Sequence, residues 1–89
     1  MVTHTLIFHA LKTDLGGPRL GLAVSKKVGK AVTRNKVKRR IREVFRTIKY
    51  DFPASFDLVV YPRKGVLEKS FEDYQHSFEV ILNILERRT

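Results

Sequence analysis

Cysteine is absent from the 89 residues, so neither a disulfide framework nor a thiolate metal site is available, which fits a reducing compartment such as the cytoplasm. No apolar run approaches the roughly 20 residues that span a bilayer. The opening MVTHTLIFHALK also lacks the basic start and long apolar middle of a signal peptide. A soluble, non-exported protein with no membrane partner is expected. Internal repeats, low-complexity tracts and linkers are missing too. The length allows one small domain, residues 1–89, and 43% apolar content supports a single modest core.

Negative charge is scarce in one region. Between residues 19 and 49, twelve Lys and Arg stand against the single acid Glu43, a net of +11; the whole chain carries +9, which leaves −2 for the remainder. A basic excess concentrated on one element is what a polyanion-binding surface requires and what general solubility does not.

The apolar spacing changes period along the chain. Residues 4–12 alternate, with Leu6, Phe8 and Ala10 on one face and Thr5, Ile7, His9 and Leu11 on the other, which predicts a strand. Gly16, Gly17 and Pro18 mark a turn. Residues 19–26 predict a second strand, bulky on one face through Leu20, Leu22 and Val24 and recessed on the other through Gly21, Ala23 and Ser25. The short connection suggests an antiparallel hairpin between these two strands. Over residues 31–50 the period becomes helical, with Val37, Ile41, Val44, Phe45 and Ile48 on one side. Residues 56–61 predict a third strand and residues 62–69 a loop. A second helix follows from Ser70, a candidate cap, with Phe71, Tyr74, Phe78, Ile81, Leu82 and Leu85 on its buried side. The class is α+β.

At 100° per residue, Lys38, Arg42, Arg46 and Lys49 share one sector of the first helix, with Arg39 at its edge and Glu43 on another sector beside Lys36 and Arg40. Like charges at i,i+4 cost a few tenths of a kcal/mol each, so folding gives no reason to choose them. The alternative, an ordinary solvated face, normally mixes signs. Lys26, Lys27 and Lys30 fall where the second strand approaches the helix, and Arg34, Asn35 and Lys36 are expected in its first turn. Cations oppose the helix dipole there unless an outside anion is held by side chains and free N–H groups together. The competing reading is that Thr33 caps the helix and the cations splay into water.

A protein nuclease would need an acid–base pair or a carboxylate metal site. His4 and His9 point to opposite faces of one strand, and Glu72, Asp73 and His76 read better as a solvated helix face than as metal ligands. A structural RNA binder of the ribosomal-protein kind would explain the charge equally well.

The run SKKVGKAVTRNKVKRRIRE closely resembles the signature of the protein subunit of bacterial ribonuclease P. The resemblance extends more weakly over residues 5–86, through RLGLAVSKK, FDLVVYPRKG and the closing amphipathic helix. It implies a small sheet of about three or more strands, with the basic helix in a left-handed β-α-β crossover between parallel second and third strands. It also implies a cofactor protein for a catalytic RNA that matures the 5′ end of precursor tRNA. Magnesium is then expected at the RNA, with no cofactor bound by the protein and no protein catalytic residue. Arg34 and Asn35 stand at the first two positions of the family's Arg-Asn-Arg motif, and Lys36 replaces the last Arg, which keeps the charge and loses the bidentate fork. Lys26, Lys27, Lys38, Arg39 and Arg42 match basic positions of that region, those on the helix facing the catalytic RNA or the 5′ leader, with Lys38 and Arg42 expected to face the recessed sheet; Lys30 and Arg46 extend the set as RNA-binding candidates. The resemblance places the substrate's 5′ leader in a cleft on the sheet, here Ile7, His9, Gly21 and Ala23. His9 stands where an aromatic is common, so stacking there should be weaker. Members usually carry an N-terminal helix before the first strand, and this chain begins almost at the strand. An exposed sheet face with lower stability or self-association is the expected consequence.

Overall fold

The computed structural model describes residues 2–3, 5–14, 18–53, 56–63 and 65–88. Three strands, β1 (Leu6–Lys12), β2 (Leu20–Leu22) and β3 (Phe56–Pro62), form one sheet. Two 18-residue helices, α1 (Ala31–Ile48) and α2 (Phe71–Arg88), complete the fold in the order β1-β2-α1-β3-α2.

β3 is the centre of the sheet. The spatial order is β1-β3-β2, with β1 antiparallel to β3 from Leu6↔Pro62 to Lys12↔Phe56 and β2 parallel to β3 from Leu20↔Leu58 to Leu22↔Val60. The expected β1–β2 hairpin is therefore wrong. Leu58, Val59, Val60 and Tyr61 are apolar on both faces, as a central strand needs, whereas β1 and β2 alternate as flanking strands do. The turn signal at Gly16 and Gly17, like His4, lies outside the described residues. The parallel pairing of β2 with β3 holds, and α1 is the crossover between them. β2 is shorter than predicted, although Arg19 C=O accepts from Leu58 N–H (2.9 Å) and Ala23 N–H donates to Val60 C=O (3.0 Å) at its ends.

Both helices pack on one face of this sheet. Leu6, Phe8, Leu58 and Val60 from the strands, Val37, Ile41, Val44 and Phe45 from α1, and Tyr74, Phe78, Ile81 and Leu85 from α2 form one buried cluster with Phe52 and Val66. Phe78 is its hub, with ring centroids 5.1 Å from Phe8, 6.2 Å from Phe45 and 6.4 Å from Phe52. The Tyr74 hydroxyl donates to Val66 C=O (2.7 Å), which closes one end of the core. Phe71, expected on the buried side of α2, is 42% exposed because it lies one turn beyond that closure.

The cap of α2 follows the sequence. Ser70 N–H donates to Asp73 Oδ2 (2.9 Å) and Asp73 N–H to Ser70 Oγ (3.2 Å), a reciprocal box that satisfies two orphan donors. The Ser70 N–H first, and then the Ser70 hydroxyl donating to the same Oδ2 (3.1 Å), hold the Asp73 carboxyl below its usual pKa. Asp73 is thus occupied as a cap. Among the described residues no helix is long and apolar enough to cross a membrane.

Candidate nucleic-acid interface

The chain leaves β2 through a single 3-10 turn, Lys26–Val28, which Gly29 joins to α1. Gly29 has φ +147°, and a Cβ there would meet Thr33 Cγ2 at 2.9 Å. Only glycine fits this joint. Val28 packs against the core while Lys26 and Lys27 stay exposed, so the turn presents two ammonium groups beside the helix start.

α1 begins at Ala31, where the change of period placed it, with the extended Lys30 as its cap residue and no side-chain cap bond. Thr33 lies inside the helix and does not cap it. Arg34 closes the first turn, its N–H donating to Lys30 C=O (2.9 Å), and Asn35 and Lys36 fall in the second rather than the first. No acid occupies the first turn, so Lys26, Lys27 and Lys30 surround an N-terminus whose own partial charge is positive. Arg34 is half-buried, and its Nε is buried with no hydrogen-bond partner.

Farther along, Asn35, Arg39, Arg42 and Arg46 are exposed and, with Glu43, line an open groove of about 420 Å³ on the outer side of α1. Lys36, Arg39, Arg40 and Glu43 line a neighbouring hollow, in keeping with the expected sectors. Among the described residues Glu43 forms no ion pair with these cations, whereas Arg19 pairs with Asp57. Arg40 differs from the rest, because its Nη1 donates to Leu67 C=O (2.9 Å) and ties α1 to the turn before α2. Lys38 is half-buried at the margin of the apolar stripe.

The second surface is the face of the sheet that no helix covers. Ile7, His9 and Leu11 of β1, Asp57, Val59 and Tyr61 of β3, and Gly21 of β2 with Ala23 beyond it alternate with the core residues and so share this face. Ile7 and His9 stand on one flank, Gly21 and Ala23 on the other, and Val59 between them. The four residues expected in the leader cleft are thus brought to one surface. Arg42 does not overlook it: α1 packs on the opposite face, so the basic row is a separate surface that borders the bare face at most.

Sequence reasoning missed Tyr61, Arg19 and Asp57. Tyr61 meets His9 edge to face, with centroids 5.2 Å apart, and restores an aromatic pair where His9 alone looked weak. Arg19 grips Asp57 through Nε (2.9 Å) and Nη2 (2.6 Å), and its hydrogen bond holds the Asp57 carboxyl below its usual pKa. The parity of FDLVVYP already put Asp57, Val59 and Tyr61 on one face. The hairpin expectation hid that this face continues onto β1.

A family model described as ribonuclease P matches residues 1–86. The ribonuclease P protein component of Thermotoga petrophila is 47% identical over 78 residues, which cover 85% of this chain and 66% of that protein. The one from Idiomarina loihiensis is 45% identical over 69 residues, covering 76% and 54%. The chain therefore spans less than two thirds of the length of these relatives. Among solved structures, the RNase P protein of Thermotoga maritima in complex with 1-(4-fluorophenyl)-2-thiourea superposes with a TM-score of 0.81 at 36% identity, over 92% of this chain and 80% of that one. The Staphylococcus aureus RNase P protein gives 0.79 at 33%, over 94% and 77%. With its sheet order, its unneutralised basic helix and nearly its whole length matched, the chain belongs to the ribonuclease P protein family.

Proposed function

We propose that this chain is the protein component of a ribonucleoprotein endoribonuclease that matures the 5′ end of tRNA in the cytoplasm. Lys26, Lys27, Lys30, Arg34, Asn35, Lys36, Lys38, Arg39, Arg42 and Arg46 bind the catalytic RNA subunit. The bare sheet face holds the 5′ leader of precursor tRNA. The observation that carries this reading is the row of cations without acid partners, on a segment matched by the family model. A purely structural RNA-binding role would need the same charge, and it is the family match that argues for participation in cleavage.

Catalysis in this reading belongs to the RNA, with magnesium held there. Of the chain's nine carboxylates, Asp57 is committed to Arg19 and Asp73 to Ser70. Among the described residues no group of three or more metal-ligating side chains gathers. The apolar bare face is also a self-association surface when RNA is absent.

Reconstitution tests the proposal. Precursor tRNA is incubated with the purified chain, with the cognate RNA subunit, and with both, at low magnesium. Cleavage at the mature 5′ end by the mixture, and none by the chain alone, is the expected result. Cleavage by the chain alone, or a mixture no better than the RNA, would overturn it.

A further inference from the structure

The bare face has two unlike ends. At one, His9 and Tyr61 form their aromatic pair. At the other, Arg19 lies just before β2 and lays its fork on Asp57 of β3, while its own backbone N–H donates to Asp57 Oδ1 (2.9 Å). Both carboxylate oxygens are spent on one residue. The Asp57 side chain is 13% exposed and that of Arg19 60% exposed. The guanidinium edge carrying Nη1 has no partner among the described residues.

Two physical points argue that this arrangement awaits a ligand. The pair is close to neutral, so it adds little long-range attraction, and its distinguishing property is a guanidinium held in place before anything binds. The floor beside it is also barer than the fold demands. Gly21 sits in a strand without positive φ, and a Cβ there would meet Val59 Cγ2 at 3.6 Å, an ordinary contact. A strand glycine costs about 0.5–1 kcal/mol relative to alanine. With no steric reason for it among the described residues, the glycine marks close approach by something outside.

We propose that Arg19, oriented by Asp57, is an RNA-binding residue that takes a backbone phosphate of the single strand crossing the bare face, at the end opposite His9 and Tyr61. The inference rests on reading that face as the leader site. Positions 57 and 61 lie four strand residues apart, about 13 Å. At about 3.4 Å per nucleotide of a stacked strand, this is room for up to four nucleotides. A strand stacked at the aromatic end therefore reaches Arg19 only when it is long enough.

That length requirement supplies the test. Affinities of the reconstituted ribonucleoprotein for precursor tRNAs with leaders of one to eight nucleotides are measured with the unaltered protein, Arg19→Ala and Arg19→Lys, and each variant's melting temperature is recorded. Affinity of the unaltered complex should climb with leader length. Arg19→Ala should lose about fivefold on long leaders and nothing on a one-nucleotide leader, and Arg19→Lys should recover only part of the loss. If Arg19→Ala melts below the assay temperature, the Arg19→Lys series decides by the same criterion. Losses equal at every length, or none at any, would overturn the role of Arg19 while the leader reading stands. A flat series for the unaltered complex would overturn both.

Discussion

RNA binding by this chain should collapse steeply with salt, and the structure says how steeply. Of the twelve cations between residues 19 and 49, Arg19 is paired with Asp57, Arg40 donates to Leu67 C=O, and the Lys49 ammonium lies 5.1 Å from the Tyr50 ring centroid. Arg34 and Lys38 are half-buried, which leaves Lys26, Lys27, Lys30, Lys36, Arg39, Arg42 and Arg46 exposed. If about six of these meet phosphates, counterion release gives a slope of log K against log salt of roughly −4 to −5. Raising salt from 50 to 200 mM should then weaken binding by roughly 250- to 1,000-fold. Filter binding or fluorescence anisotropy with the cognate RNA subunit over that range measures the slope directly. Arg39→Gln should make the slope shallower by about 0.7–0.9, the share of one phosphate. A slope shallower than about −2 would mean that most of these exposed cations stay in water, and would refute the polyanion reading.

Three other outcomes are expected. Arg34→Ala and Arg42→Ala should each weaken assembly with the catalytic RNA by about 1 kcal/mol, whereas Tyr61→Ala should spare assembly and weaken only leader-bearing precursor by about 1–3 kcal/mol; equal effects in both assays would show a single undivided surface. Gly29→Ala should lower unfolding free energy by about 1–3 kcal/mol in urea titration through its strained φ and the contact with Thr33, and an unchanged midpoint would show that the joint can relax. Asp57 and Asp73 have folded pKa values below the usual 3.8, so their contributions are present above that pH and are lost as pH falls through the lowered values. Asp73→Asn should accordingly flatten the decline of the melting temperature below about pH 4, and an unaltered decline would place the acid sensitivity elsewhere.

Much of this architecture was legible because burial is periodic. Val37, Ile41, Val44 and Phe45 announced α1, and Tyr74, Phe78, Ile81 and Leu85 announced α2, since each set repeats at helical spacing and each is buried. The basic site was legible for a different reason: charge without acids needs no coordinates to be seen. Strand order was not, because a turn signal between β1 and β2 says that the chain reverses and not which edges meet. The pairing was decided by β3, apolar on both faces, which satisfies two half-apolar neighbours at once. Phe71 was misread for a related reason, since helical phase fixes direction around an axis but not where the core ends along it.

The sheet order also explains how so small a chain presents two surfaces of different character. Putting β3 in the centre sends the odd and even residues of one strand to opposite tasks. Leu58 and Val60 anchor both helices and hence hold the cations of α1 on the covered side, whereas Asp57, Val59 and Tyr61 build the bare side. Under the proposed function, the two sides attract RNA by different physics. Charges on α1 act through solution over about 10 Å at 0.1 M salt. The aromatic pair and the Arg19–Asp57 fork act at contact, where direction and stacking decide. Salt should therefore strip the first surface long before the second. At high salt, what remains of the affinity for a precursor should depend more on Tyr61 than on Arg39, and at low salt the order should reverse.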